Sequence, residues 1–139
     1  MPAKYDSIKT FTMNKLRLLL ILAALPIFAR AAGVGAAVGD AARGQLVFKT
    51  CASCHQVGPY ASAGYGPQLN GVIGRRAAAT SDYKYSEAMR KSGIVWDERT
   101  LAAFLRAPGE VVPGTKMRFW GIKDEQQIAD LLAYLRGAR

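Results

Sequence analysis

The sequence predicts an all-α domain of four to five helices wrapped around a large apolar ligand, and three observations point there. Apolar residues recur at spacings of three and four in several short segments, each opened by a capping residue, while strand-type alternation is absent. Between these segments run two long stretches punctuated by glycine and proline, too irregular for a helix and too long for simple connections. A domain of this size with so much loop is under-packed unless something fills its centre.

The first helix follows Asp40, whose carboxylate suits an N-cap, with Ala41, Gly44, Phe48 and Cys51 along one face. Residues 56–74 carry Gly58-Pro59, Gly64, Gly66-Pro67, Gly71 and Gly74, which excludes a long regular element. Residues 86–92 suit a short helix stopped by Gly93. Asp97 caps the next one, in which Leu101, Phe104 and Leu105 form the buried stripe and Pro108 is the stop. Residues 109–121 are expected to be irregular. The last helix follows Asp124, with Gln127 completing a capping box, Ile128, Leu131, Leu132 and Leu135 on one face, and Gly137 at its end.

Cys51-Ala52-Ser53-Cys54-His55 contains both cysteines and the only histidine of the chain, in the spacing that attaches a c-type haem. On a helical turn, positions three apart share a face, so both sulfurs reach one edge of a porphyrin and His55 falls beneath the iron. A structural zinc site normally needs four protein ligands, and Cys and His together number three here. A thioredoxin-like redox pair expects alternating strands and helices, and a surface disulfide leaves His55 without a role.

At 139 residues and 50% hydrophobic, the chain accommodates one globular domain plus a leader. Lys4, Lys9, Lys15 and Arg17 precede an apolar run over 18–28, followed by the A-x-A-like site Ala29-Arg30-Ala31. Residues 1–38 are therefore expected to be a signal peptide and short linker, cleaved near Ala31, with Met13 an alternative start. An uncleaved anchor, the alternative route to membrane contact besides partners, is disfavoured because the run contains Pro26 and falls short of the roughly 20 residues that span a bilayer. The domain over 39–139 has 14 basic and 9 acidic residues, so the whole-chain charge of +9 drops to +5. Dispersed among acids and aromatics, that charge suits an acidic protein surface rather than nucleic acid.

Four motifs in order carry a family resemblance: Cys51 to His55, the run Gly66-Pro67-Gln68-Leu69-Asn70-Gly71-Val72-Ile73-Gly74-Arg75, the segment ending at Trp96, and Pro113-Gly114-Thr115-Lys116-Met117. The chain resembles the class I cytochromes c of mitochondrial and soluble bacterial type, without a gap over 51–134. The resemblance implies the cytochrome c fold around one haem, with thioethers to Cys51 and Cys54, His55 as proximal ligand and Met117 as distal ligand. It also implies a hydrogen bond from His55 to the Pro67 carbonyl. Arg75, Tyr83, Tyr85 and Trp96 would lie around the haem propionates and Thr115 near the distal ligand, with Gly44 and Phe48 packed on Leu131 and Tyr134.

The residues favour Met117 independently. A soft, neutral thioether that raises a haem potential comes only from methionine; Met1 and Met13 lie in the leader, and Met89 suits a core gap-filler in a short helix. Met117 sits in a Pro-Gly loop able to cross a flat ring. Phe104 and Met89 replace the family's usual tyrosine and asparagine, which predicts a dry distal side and a high potential. Thr50, Gly109 and Glu110 stand where the family often has basic residues, leaving Lys49, Lys116, Arg118 and Lys123 to guide docking.

The expected function is one-electron transfer by a monomeric periplasmic carrier. Its partners would be a cytochrome bc-type complex, terminal oxidase, photosynthetic reaction centre or periplasmic dehydrogenase. A dedicated dehydrogenase subunit is the alternative; a small haem peroxidase or gas binder would need an open sixth position that the methionine loop closes. No nucleophile elbow or phosphate loop suggests an enzyme.

Overall fold

The computed structural model describes residues 37–139; the expected leader, its cleavage site and its alternative start lie outside them. The described residues form five helices and no sheet: α1 (Ala41–Phe48), α2 (Glu87–Lys91), α3 (Glu98–Arg106), α4 (Pro108–Val111) and α5 (Glu125–Gly137). The expected all-α architecture is borne out. None of these helices is long and apolar enough to cross a membrane.

The capping residues act as their chemistry requires. Asp40, Ser86 and Asp97 accept hydrogen bonds from the amides of Arg43, Met89 and Thr100, satisfying donors that a helix start leaves free. The capping box at Asp124 is only half made: its carboxylate accepts from the amides of Gln126 and Gln127, while the Gln127 side chain turns to the Asp124 carboxylate. Gly137 belongs to α5, and Ala138 caps it with an ordinary extended backbone.

Two boundaries differ from expectation. The first helix ends at Phe48, before the Cys51 motif, because the amides of Lys49 and Thr50 bond carbonyls three residues back and the Thr50 hydroxyl donates to Val47 O at 2.9 Å. A hydroxyl that competes for a helix carbonyl favours termination. Pro108 does stop α3, since the preceding Ala107 is held extended at ψ 78°. It also opens α4, because proline lacks only the N–H that a first helical residue does not use. Residues 108–111 are thus helical rather than irregular.

The frame is the crossing of α1 and α5. At Gly44 the helices approach so closely that an added Cβ would collide with the Asp130 carbonyl, and it would lie 2.8 Å from the Tyr134 Cβ. Phe48 packs on Tyr134 with ring centroids 5.3 Å apart. Asp130, buried within this contact, accepts from the Asp40 amide at 2.7 Å, from Arg43 Nε at 2.8 Å and from Gln126 Nε2 at 2.9 Å. The Arg43 hydrogen bond, followed by that of the Asp40 amide, holds this carboxyl well below the usual carboxylate range. A buried charge is tolerated because every face of it is answered.

The first glycine-rich loop is ordered by side chains in place of a ladder. Asn70 exchanges two hydrogen bonds of 2.8 Å with the Gly58 backbone, and Arg75 donates to the carbonyls of Asn70 and Gln68 at 2.7 and 2.9 Å. The Gly71 amide reaches Ala138 O at 2.9 Å, tying the loop to the end of α5. A single antiparallel bridge, Arg76 to Val95, fastens its far end to the segment before α3.

Candidate haem-binding site

A cavity of about 440 Å³ opens between this frame and the two loops. Its apolar lining includes Phe48, Leu69, Val72, Leu101, Leu105 and Leu135. All ten residues expected from the sequence line it: Cys51, Cys54, His55, Pro67, Arg75, Tyr83, Tyr85, Trp96, Thr115 and Met117. Helices α1, α3 and α5 supply the apolar wall, and the loops supply the polar groups.

The motif leaves α1 on tight turns, with the amides of Cys54 and His55 both bonded to Cys51 O at 3.0 and 2.9 Å. This curls Cys51, Cys54 and His55 toward one side. Cys51 is half-buried, and burial pushes its thiol up against an opposing hydrogen bond from Thr50; Cys54 is exposed. His55 is half-buried, and burial lowers its pKa while the Pro67 carbonyl partly opposes that. The neutral imidazole is the form that ligates a metal.

His55 Nδ1 lies 2.7 Å from Pro67 O. A carbonyl only accepts, so Nδ1 carries the proton and donates, and Nε2 keeps its lone pair. Gly66 allows this geometry: a Cβ there would sit 2.5 Å from His55 Cε1, so only glycine lets the backbone pass behind the ring. Its amide bonds Cys54 O at 2.9 Å, closing the loop on the motif.

On the opposite loop, the Thr115 hydroxyl accepts from the Met117 amide at 3.2 Å, fixing the residue whose thioether lines the cavity. Gly114, at φ +88°, makes the preceding turn. Trp96 packs on Phe104 with centroids 4.9 Å apart, and Met89 completes an apolar wall there. Tyr83 and Tyr85 meet edge to face at 4.9 Å; Tyr85 shares a 2.8 Å hydrogen bond with Thr80, and Tyr83 donates to Tyr65 O at 3.1 Å.

Arg75 is half-buried at the cavity and forms no ion pair among the described residues. Burial lowers its pKa, with the charges of Tyr85 and Asp82 opposing. A cation in that position favours an acidic group on a bound ligand. An apolar-walled space, a neutral histidine with a free nitrogen, two thiols beside it and a cation among its lining residues together fit a haem with acidic substituents.

The sequence reading missed Phe119 and Gly66 as parts of the site. Phe119 lines the cavity two residues after Met117, and that spacing is the signal that could have found it. For Gly66 the signal was only its place before Pro67, since close passage behind a ring is a tertiary fact.

The cytochrome c family model matches residues 41–139. Cytochrome c2 of Rhodomicrobium vannielii is 50% identical over 99 residues, covering 71% of this chain and 79% of the relative. Cytochrome c-554 of Methylosinus trichosporium is 45% identical over 117 residues, covering 84% and 89%. The solved structure of cytochrome cH from Methylobacterium extorquens superposes with a TM-score of 0.67 at 42% identity, covering 70% of this chain and 98% of that one. With the cavity and the attachment motif, these likenesses make the chain a member of the cytochrome c family: an electron carrier rather than an enzyme, whose covalent haem c is matched by Cys51 and Cys54.

Proposed function

We propose that the protein is a periplasmic one-electron carrier with His55 and Met117 as axial ligands and Cys51 and Cys54 as thioether donors. The observation that carries this reading is that all four line one cavity, from two loops distant in sequence. The haem supplies the ferrous–ferric couple, and no substrate bond changes.

Each residue has a definite task. Pro67 O holds the His55 Nδ1 proton, which fixes the tautomer and strengthens Nε2 as a donor. Thr115 holds the Met117 backbone, so the thioether stays in place through both oxidation states. Arg75, Tyr83, Tyr85 and Trp96, which line the same cavity, would hold the acidic groups of the cofactor. Phe104 and Met89 keep the distal wall apolar, which disfavours the extra charge of ferric iron and raises the potential.

Residues 1–38 act as signal peptide and linker, cleaved near Ala31, and residues 39–139 form the mature monomeric domain. The bacterial relatives named above, a cytochrome c2 and a cytochrome c-554, support export and partners such as a bc-type complex or reaction centre. The test is a stopped-flow reaction of the mature holoprotein with purified cytochrome bc1 complex. Rapid reduction that slows with added salt, by a protein eluting as a monomer, is the expected result. Failure of the haem to be reduced, or a ferric form that stays high-spin and binds peroxide, overturns the carrier reading.

A further inference from the structure

The two tryptophans have opposite fates. Trp96 is 7% exposed in the cavity wall, whereas Trp120 is 96% exposed. Tryptophan is highly buried on average, and a bare indole leaves a large apolar surface in water without helping the fold.

Trp120 is nonetheless held in place. Next to it, Gly121 at φ +91° lies so close to the Arg106 carbonyl that a Cβ would collide, and the amide of buried Ile122 bonds Leu105 O at 2.9 Å. Exposure alternates before it: Met117 and Phe119 are half-buried in the cavity lining, Lys116 and Arg118 are exposed at the cavity's rim, and Trp120 is exposed and outside the lining. One segment therefore walls the cavity with Met117 and Phe119, places two cations at its rim and leaves Trp120 in solvent beside them.

The outward set is basic. Lys116, Arg118 and the exposed Lys123 have no carboxylate partner among the described residues, and the carboxylate of the following Asp124 is engaged by the amides of Gln126 and Gln127. We infer that Trp120, with Lys116, Arg118 and Lys123, is the docking anchor for a redox protein whose face offers an apolar pocket rimmed by carboxylates. This inference rests on the carrier reading and names the chemistry of its partner. Tryptophan and arginine dominate interface energetics when they seat in a dry pocket, while the rim charges chiefly set the rate of approach. The adjoining Phe119 brings that contact next to the cavity.

The test measures second-order rates of mature holoprotein with purified cytochrome bc1 complex across ionic strength, for wild type, Trp120→Ala, Arg118→Ala/Lys123→Ala and Tyr60→Ala. Tyr60, also 96% exposed but not at the cavity, is the control. Trp120→Ala should lower the rate about tenfold at low and high salt, with haem spectrum and potential unchanged. The double charge variant should flatten the salt dependence, and Tyr60→Ala should match wild type. A Trp120→Ala rate within about twofold of wild type, or a shifted haem spectrum in that variant, overturns the docking site while leaving a cycling carrier intact. Loss of sedimentation with phosphatidylglycerol vesicles, without loss of rate, overturns it in favour of a lipid surface. A wild type that does not cycle overturns both readings.

Discussion

The crossing of α1 and α5 and the wall of the haem cavity solve the same packing problem in opposite ways. At the crossing, Gly44 lets two backbones meet, Phe48 and Tyr134 fill the remaining space, and Asp130 has a hydrogen-bond donor on every side. The chain completes that contact with its own atoms. In the wall, Leu69, Val72, Leu101, Phe104 and Met117 face a space of about 440 Å³ that the fold reserves for its cofactor. Stability is therefore intrinsic to the frame and conditional on bound haem at the wall.

The largest expected effect separates the two regions outright. Cys51→Ala/Cys54→Ala removes covalent attachment, and the haem-free chain should lose cooperative thermal unfolding while keeping part of its helical circular dichroism. A haem-free chain that melts as sharply and as high as the holoprotein breaks the comparison. Next come two glycine substitutions. Gly44→Val drives a side chain into the Asp130 backbone and should cost roughly 3 kcal/mol in denaturant titration, with the haem spectrum of the folded fraction unchanged. Gly66→Ala crowds His55 and should shift the spectrum and potential more than the stability.

A smaller effect depends on pH. The Asp130 carboxyl is held low in the folded state, so the stability it contributes is complete above its unfolded value near ~3.9 and is lost as pH falls toward the lower folded value. Asp130→Asn should lower the melting temperature at pH 7, and its deficit against wild type should shrink as the solution is acidified below about pH 4. A deficit independent of pH would assign the effect to packing alone. The smallest expected change is Phe104→Tyr, which puts a hydroxyl into the distal wall and should lower the midpoint potential by less than the ~59 mV of a tenfold one-electron change.

The frame was the more legible region, because its signals are local. Asp40, Ser86, Asp97 and Asp124 each mark a helix start through a side-chain bond spanning two or three residues, and the α5 stripe follows from helical periodicity. The short α4 was missed because proline both stops and starts helices, and its sequence context favours neither reading. At the cavity, the Cys51 motif and the Pro-Gly loop before Met117 were readable because their spacing is itself the chemistry. The passage of Gly66 behind His55 and the outward set of Trp120 were not, since both depend on how loops fold over a frame far away in sequence.

The most direct test of the account is the ferric absorption spectrum of the mature holoprotein compared with that of Met117→Ala. Wild type should show a low-spin spectrum with the weak long-wavelength band of an iron–thioether bond and a positive midpoint potential. The variant should lose that band and fall steeply in potential. A wild type that is high-spin, or a Met117→Ala protein that retains both band and potential, would contradict the assignment of Met117 as the ligand that makes this haem a carrier.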